Sequence, residues 1–246
     1  MYCQEYHGKQ GILSMSQSVN NRRPLITLAN PRSPISEAYR TLRTNIDFSS
    51  IDEAMQVIVV TSAGPGEGKS TTISNLAITF AQSERRVLLI DADMRKPTMH
   101  HTFRASNRVG LSSLLSRRSE MQEVIQETNV SDLFIVTAGP IPPNPAEMLS
   151  SKRMSELLDS LKKHFDIILI DTPPILAVTD AQLIASKSDG VILVMDHGTV
   201  KRDAALKAKA GLDTVNAKIL GVVMNNVKRN KSSQGYYYYY GNGNES

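Results

Sequence analysis

The sequence has almost no cysteine and no long apolar run. Its 246 residues include one cysteine, Cys3, so no intramolecular disulfide can form and a reducing compartment is expected. No stretch approaches the roughly 18 consecutive apolar residues that a membrane-spanning helix needs. The N-terminus also lacks the apolar core of a signal peptide, so the sequence predicts a cytoplasmic protein.

Tyrosine is missing from most of the chain. Eight tyrosines are present, but none lies between Thr41 and Gly235, so tyrosine does not fill the core. A consecutive run near the C-terminus is bounded by Gly, Asn and Ser, which predicts an exposed, disordered tail. This run is an adhesive aromatic patch or a cluster of phosphate acceptors, each able to gain about 1.5–2 negative charges. Its members are Tyr236, Tyr237, Tyr238, Tyr239 and Tyr240.

Composition limits the size of the fold and the kind of partner. A length of 246 residues fits one α/β domain with tails, or at most two small domains. An apolar content of 41% is enough for a sizeable core. The formal net charge of +4 permits acidic partners without requiring them, and no nucleic-acid partner is expected.

The most informative stretch runs from residue 57 to residue 72. Four apolar residues, 57–60, predict a buried strand, and 74–82 predict a helix. The loop between them is typical of a phosphate-binding loop, although Ala63 stands where the first glycine is usual. Lys69 is expected to reach the β- and γ-phosphates of ATP, and Ser70 to ligate Mg²⁺. The predicted nucleotide-binding residues are Ala63, Gly64, Pro65, Gly66, Glu67, Gly68, Lys69, Ser70 and Thr71.

Acidic residues follow two other apolar runs. Residues 87–90 predict a strand that leads into Asp91 and Asp93, and 167–170 predict another that ends at Asp171. Residues two apart on an extended chain face the same way, so Asp91 and Asp93 can address one site. Because ligands of open α/β sheets bind at the carboxyl ends of strands, Asp171 is placed as a Mg²⁺-coordinating carboxylate.

Further strands are predicted at 133–137, 191–195 and 219–224, with helices at about 146–164 and 203–215 and helices and loops over 98–132. This alternation predicts a single α/β domain of the P-loop NTPase type. Its mostly parallel sheet should carry helices on both faces. The predicted parts are a flexible leader at 1–32, the main domain at 33–230 and the tyrosine-rich tail at 231–246.

A helix is predicted from residue 33 to 47, with Ser33 as its N-cap. Glu37, Arg40 and Arg43 lie at intervals of three along one side of it. Such an acid and two arginines can pair within the helix for a few tenths of a kcal/mol. They can also form ion pairs with a neighbouring subunit, because arginine makes bidentate contacts with carboxylates.

Taken together, these motifs resemble the bacterial tyrosine kinases, the P-loop protein-tyrosine kinases that govern capsule and exopolysaccharide assembly. The resemblance covers about residues 33 to 240 and favours the intersubunit role of Glu37, Arg40 and Arg43. It rests on the phosphate loop 63–70, the stretch 88–95 (Leu-Leu-Ile-Asp-Ala-Asp-Met-Arg), the strand 167–171, the helix segment 37–43 and the tyrosine tail.

The resemblance implies transfer of the γ-phosphoryl group of ATP to tyrosine, with Mg²⁺ as cofactor. Lys69, Asp91, Asp93 and Asp171 would be the catalytic residues, and Ser70, Asp91 and Asp171 the metal ligands. Asp91 and Asp93 would divide metal contact and acceptance of the tyrosine proton, with Asp91 preferred as the base. The tyrosines of the tail would be autophosphorylation sites.

The chain is most similar to the split form of this family found in Firmicutes. That form implies a cytoplasmic kinase recruited to the inner face of the membrane and activated by a transmembrane modulator. It also implies a ring-like homo-oligomer in which each tail enters the adjacent active site, protein-tyrosine substrates and a cognate tyrosine phosphatase.

Two other classes of protein are compatible with parts of the sequence. A positioning or partition ATPase that binds a surface or DNA would share the phosphate loop. Those relatives carry an extra lysine near the start of the loop, and residues 61–64 have none. A non-enzymatic scaffold would use the tail as an adhesive patch and would not bind ATP–Mg²⁺.

Overall fold

A seven-stranded sheet forms the centre of the computed structural model, which describes residues 25–49 and 55–227. The strands are β1 (Val57–Ser62), β2 (Val87–Asp91), β3 (Ile125–Glu127), β4 (Leu133–Val136), β5 (Ile167–Asp171), β6 (Gly190–Asp196) and β7 (Ile219–Asn225). The helices are α1 (Ile26–Ala29), α2 (Pro34–Phe48), α3 (Lys69–Ala81), α4 (Met99–Phe103), α5 (Leu111–Leu115), α6 (Met121–Val124), α7 (Pro145–Ser150), α8 (Lys152–Leu161), α9 (Asp180–Ala185) and α10 (Arg202–Asp213).

The strand order places the acid-bearing strands beside each other. Across the sheet the order is β3-β4-β2-β5-β1-β6-β7, and every neighbouring pair is parallel except β3 with β4. Strand β5 therefore lies between β1, which leads into the phosphate loop, and β2. The predicted mostly parallel sheet is confirmed, and the carboxyl ends of β1, β2 and β5 meet at one edge.

Both faces of the sheet are covered, which explains why its central strands are continuous apolar runs. Along β1, Val57 and Val59 pack into one apolar cluster, and Ile58 and Val60 pack into the other. The first cluster includes side chains of α5, α7, α8, α9 and α10, and the second includes side chains of α2, α3 and α4. The prediction of helices on both faces is confirmed.

Helix α2 begins as its sequence predicts. Ser33 has an extended backbone, and its hydroxyl accepts a hydrogen bond from the Ser36 amide at 3.1 Å. Pro34 occupies the first turn, where a missing N–H costs nothing. No helix within 25–49 or 55–227 is long and apolar enough to cross a membrane.

The predicted flexible leader, residues 1–32, extends too far toward the C-terminus, because its last part contains a helix. Residues 26–29 form helix α1, which packs on α3. The backbone N–H and hydroxyl of Thr27, which is fully buried, both donate to Asn75 Oδ1, at 3.0 and 2.9 Å. One helical turn carries too few apolar residues to show a period in the sequence. Residues 1–24 and the predicted tail lie outside the described residues.

Strand β3, the start of helix α3 and helix α9 also differ from prediction; no element was predicted at 180–185, where α9 lies. Strand β3 was not predicted, because three residues of sequence Ile-Gln-Glu show no strand pattern; it pairs antiparallel with β4 at the sheet edge. Helix α3 begins at Lys69 rather than at residue 74. Its first turn, Lys-Ser-Thr-Thr, is polar and gives no apolar period to detect.

Candidate active site

The loop between β1 and α3 has the backbone that its glycines predict. Gly66 and Gly68 have φ values of +81° and +88°, in the left-handed region that favours glycine. Ala63 is buried and does not have a positive φ, so its methyl group adds no backbone strain. The departure at Ala63 therefore leaves the loop able to close.

The side chain of Glu67 holds the loop from within. Its Oε1 atom accepts a hydrogen bond from the Gly64 amide at 2.5 Å, and the Ser62 hydroxyl donates to the Gly64 carbonyl at 2.7 Å. Glu67 is 5% exposed, and burial raises its pKa. The carboxyl group thus braces the loop backbone, which a motif alone does not reveal.

Lys69 lies among the predicted acids. Its Nζ atom is 3.2 Å from Ser70 Oγ, 3.7 Å from Asp93 Oδ2 and 3.9 Å from Asp171 Oδ1. The Ser70 hydroxyl donates to Asp171 Oδ2 at 2.5 Å. The structure therefore brings together side chains from α3, from the loop after β2 and from β5. The contact between Ser70 and Asp171 joins residues 101 positions apart in the chain.

Asp91 is beside these groups but has a different environment. It is fully buried, and its Cα is the register partner of Asp171 on β5. Its Oδ1 atom accepts from the Asp93 amide at 3.1 Å, and its Oδ2 atom accepts from the Thr98 and Met99 amides at 3.1 and 3.0 Å. Asp91 thus organises the turn after β2, and Asp93 projects toward Lys69.

Burial, and next the charge of Asp171, raise the pKa of Asp91 to about 7 from its usual 3.8. The folded protein therefore holds this proton over a pH range in which the unfolded chain has lost it. The stability that this proton contributes is fully present below pH 3.8 and is lost as the pH rises through about 7.

Replacing Asp91 by asparagine is expected to remove this pH dependence. In wild-type protein without Mg²⁺ or nucleotide, we expect the free energy of unfolding from this group to fall by a few kcal/mol, on the order of 2–4, between pH 4 and pH 8. Urea unfolding at several pH values checks the slope, with Asp159→Asn, an exposed carboxylate on α8, as control. Equal slopes for wild type and Asp91→Asn would contradict the assignment.

The loop between β2 and α4 is also held by an ion pair that the sequence did not predict. Arg95 donates from Nε and Nη2 to the two carboxylate oxygens of Asp180, at 2.9 and 3.0 Å. The Asp180 side chain is fully buried at the start of α9, whereas that of Arg95 is 40% exposed. This pair raises the pKa of Arg95. It ties the loop that carries Asp93 to α9.

Replacing Arg95 by alanine should destabilise the fold, because it leaves the buried Asp180 carboxylate without its guanidinium. Breaking a buried pair costs about 3–5 kcal/mol, and we expect the low end because water can enter where Arg95 was. Lys209→Ala, which breaks an exposed pair with Asp213, should cost at most about 1 kcal/mol. Chemical unfolding of both variants measures the difference; equal losses would contradict this account.

The residues present fit a magnesium-bound triphosphate better than a metal held by protein alone. Within 25–49 and 55–227, no group of three or more His, Cys, Asp or Glu side chains is arranged to hold a metal ion. Mg²⁺ usually takes one or two carboxylates and completes its shell with water and substrate phosphates. Ser70 Oγ and Asp171 Oδ2, which touch each other beside the loop, provide such a partial set.

The predicted interface residues have partners within their own chain. Arg40 Nη1 lies 2.8 Å from Glu37 Oε2, which is the i, i+3 pairing that the spacing allows. Arg40 also donates to the Pro31 carbonyl at 2.6 Å, and Arg43 Nη1 donates to the Thr79 carbonyl on α3 at 2.8 Å. Their role between subunits stays a prediction.

Asn225, at the end of β7, also contacts the loop. Its Nδ2 atom donates to the Glu67 carbonyl at 2.8 Å and to Thr72 Oγ1 at 3.2 Å. The signal in the sequence was weak: a polar residue closing a strand at the same sheet edge as Asp91 and Asp171. Neither Asn225 nor Thr72 was predicted as a site residue.

Comparisons with known proteins agree with this geometry. The family model described as an AAA domain matches residues 55–201. Tyrosine-protein kinase YwqD of Bacillus subtilis (strain 168) is 50% identical over 217 residues, which is 88% of this chain and 92% of that protein. A structure of the chimerical protein CapA2B2 matches with a TM-score of 0.81 at 44% identity, covering 83% of this chain and 90% of that one.

A further solved structure, the kinase domain of Escherichia coli tyrosine kinase ETK, matches with a TM-score of 0.79 at 33% identity. The match covers 85% of this chain and 84% of that one. Similarity of this extent to named kinases, in a chain whose phosphate loop faces acids from two further segments, shows the family. The chain belongs to the bacterial tyrosine-protein kinases and is a protein-tyrosine kinase.

Proposed function

We propose that this kinase uses ATP and Mg²⁺ to phosphorylate the tyrosine cluster at 236–240 on a neighbouring copy of the same chain. The observation that carries the proposal is the position of Lys69. Its ammonium group lies within 4 Å of Ser70, Asp93 and Asp171. A cation between a phosphate loop and carboxylates suits phosphoryl transfer, which depends mainly on positioning and charge neutralisation.

The residues of the chain divide the work as follows. Lys69 and the amides of the loop would hold the β- and γ-phosphates, while Ser70 and Asp171 would hold the metal ion. When bound, Mg²⁺ neutralises the charge that develops on the transferring phosphoryl group. Asp91 keeps the turn after β2 in shape through the three amides that it accepts.

Asp93 is the residue to which we assign the tyrosine proton. A phenol has a pKa near 10 and needs a nearby carboxylate to react at neutral pH. Asp93 is 7% exposed, with Oδ2 directed toward Lys69, whereas Asp91 is fully buried and both of its oxygens accept backbone amides. As the phenolic oxygen bonds to the γ-phosphorus, its proton passes to Asp93 and ADP leaves. We therefore propose Asp93 as the base in place of Asp91, which the sequence favoured.

The wider role follows from the family resemblance. We propose that a transmembrane modulator recruits the kinase to the inner face of the membrane and activates it. We also propose a ring-like oligomer that uses Glu37, Arg40 and Arg43, and a cognate phosphatase that removes the phosphate. Phosphorylation of the tail would add negative charge and loosen the ring. The pathway regulated in this way would be exopolysaccharide or capsule biosynthesis.

Mapping phosphotyrosine on the purified protein tests the proposal. After incubation with ATP and Mg²⁺, mass spectrometry should locate the modification within 236–240. If no phosphotyrosine forms and DNA or lipid vesicles stimulate ATP hydrolysis, the protein would instead be a positioning ATPase. Absence of ATP–Mg²⁺ binding would leave only the scaffold.

A further inference from the structure

Asn225 is the last residue of β7, and the neighbouring strand holds its backbone. It is the register partner of Asp196 on β6, which runs parallel to β7, and its carbonyl accepts from the His197 amide at 2.9 Å. The next residue, Asn226, donates from Nδ2 to Asp196 Oδ1 at 2.9 Å. The end of β7 is therefore fixed beside β6 independently of the contacts that the Asn225 side chain makes.

The side chain of Asn225 reaches across to the phosphate loop. Its Nδ2 atom carries two hydrogens and has two partners, the Glu67 carbonyl at 2.8 Å and Thr72 Oγ1 at 3.2 Å. Thr72 is fully buried in the first turn of α3, and its amide donates to the Gly68 carbonyl at 2.8 Å. Asn225 thus joins the backbone of the loop to the helix that follows it.

The approach of Asn225 to Gly68 is close. Gly68 is the N-cap of α3, with a φ of +88°, and no side chain caps the helix there. A Cβ atom added at Gly68 would lie closer to Asn225 Nδ2 than real Cβ contacts allow. The amide of Asn225 therefore packs directly against the peptide that joins Glu67 to Gly68, next to Lys69.

The hydrogen bond to the Glu67 carbonyl sets the direction of the Gly68 amide. The peptide that joins these two residues is trans, and in a trans peptide the carbonyl and the N–H point in opposite directions. Because Asn225 holds the Glu67 carbonyl, the Gly68 N–H points away from Asn225. Amides of a phosphate loop bind phosphate only when their N–H groups point inward, so the orientation of this peptide affects affinity.

We propose that Asn225 is a positioning residue for nucleotide binding, which acts by holding the Glu67–Gly68 peptide and not by touching the base. The proposal rests on the proposed binding of ATP–Mg²⁺ at this loop. Its consequence is that Asn225 affects every ligand that carries a triphosphate to the same extent. Inorganic tripolyphosphate has the three phosphates of ATP without the base or the ribose, so it separates this role from a contact with adenine.

Replacing Asn225 by alanine tests the proposal. The change removes both hydrogen bonds of the amide. We expect ATP–Mg²⁺ and tripolyphosphate–Mg²⁺ each to bind about 3- to 10-fold more weakly, by the same factor for both ligands, which is the effect of about one buried hydrogen bond. Calorimetry measures the two affinities, and steady-state kinetics should show a raised KM for ATP with kcat nearly unchanged.

Asn107→Ala is the matched control, because it removes an amide that holds a different loop. Asn107 Nδ2 donates to the Gly139 carbonyl at 3.1 Å, and its Oδ1 atom accepts from the Gly139 amide at 2.8 Å. This variant should bind both ligands as wild type does, even if its melting temperature falls. For Asn225→Ala, weaker binding of ATP with unchanged binding of tripolyphosphate would show a contact with the base and would overturn the proposal. Unchanged binding of both ligands would also overturn it.

A measurement without nucleotide distinguishes failure of this proposal from failure of the proposed function. In the nucleotide-free full-length protein, amide hydrogen exchange over 64–72 should be faster in Asn225→Ala than in wild type or Asn107→Ala. Equal exchange in all three would overturn the positioning role even if ATP binds. If wild type binds neither ligand, the proposed function fails, whereas exchange still decides whether Asn225 holds the loop.

Discussion

Replacing Lys69 by methionine is expected to lower phosphotyrosine formation by at least about 100-fold while the protein stays folded. Methionine keeps most of the side-chain length but removes the charge that lies 3.7 Å from Asp93 and 3.9 Å from Asp171. Without it, the γ-phosphate would meet carboxylates with no cation between them. Anti-phosphotyrosine detection and mass spectrometry after incubation with ATP and Mg²⁺ measure the loss.

Lys152→Met is the matched control for this change. Lys152 is exposed on α8, where it pairs with Glu156 at 3.5 Å. The same substitution there should leave labelling unchanged. Thermal unfolding of Lys69→Met should show a cooperative transition, which excludes misfolding as the cause of lost activity. Wild-type labelling of the pure Lys69→Met protein would refute the site.

Replacing all five tyrosines from 236 to 240 by phenylalanine is expected to remove most self-labelling and to leave ATP binding intact. Phenylalanine keeps the aromatic ring and removes only the acceptor hydroxyl. The matched control replaces Tyr2 and Tyr6, which lie at the other end of the chain, and should label as wild type does. Unchanged labelling of the tail variant would move the acceptor elsewhere.

Mixing the two inactive variants tests transfer between subunits. The Lys69→Met chain keeps the proposed acceptors without the lysine proposed to be catalytic, and the tail variant keeps that lysine without the proposed acceptors. If the tail enters a neighbouring active site, the Lys69→Met chain becomes labelled, and a size tag identifies it. Loss of labelling in both chains, with active wild type beside them, would show that transfer occurs only within a chain.

The residues around the phosphate loop could be predicted from local sequence patterns, because the local structures that these patterns predict are present in the folded protein. A strand, a glycine loop and Gly-Lys-Ser predict a phosphate loop because that backbone is built within about 15 residues. The acids at 91, 93 and 171 could be predicted because apolar runs in a covered parallel sheet end at a common edge. In the sheet, Asp91 and Asp171 are register partners on neighbouring strands, which agrees with that expectation.

The different contacts of Asp91 and Asp93 could not be predicted in the same way. The two acids are equivalent in an alternating pattern, and both are expected to face one site. The chain after β2 turns back, so that the amides of Thr98 and Met99 reach Asp91 and leave Asp93 beside Lys69. A turn closed by backbone amides has no residue signature at the acid that accepts them.

The sequence by itself determined the fold class, the phosphate loop and the acids at the strand ends, because strand and loop preferences act over short distances. Only the tertiary structure decided which groups touch: Arg95 with the buried Asp180, and Asn225 with Thr72. These contacts join residues that are 85 and 153 positions apart along the chain. Their partners are set by the packing of helices and strands, which no single segment encodes.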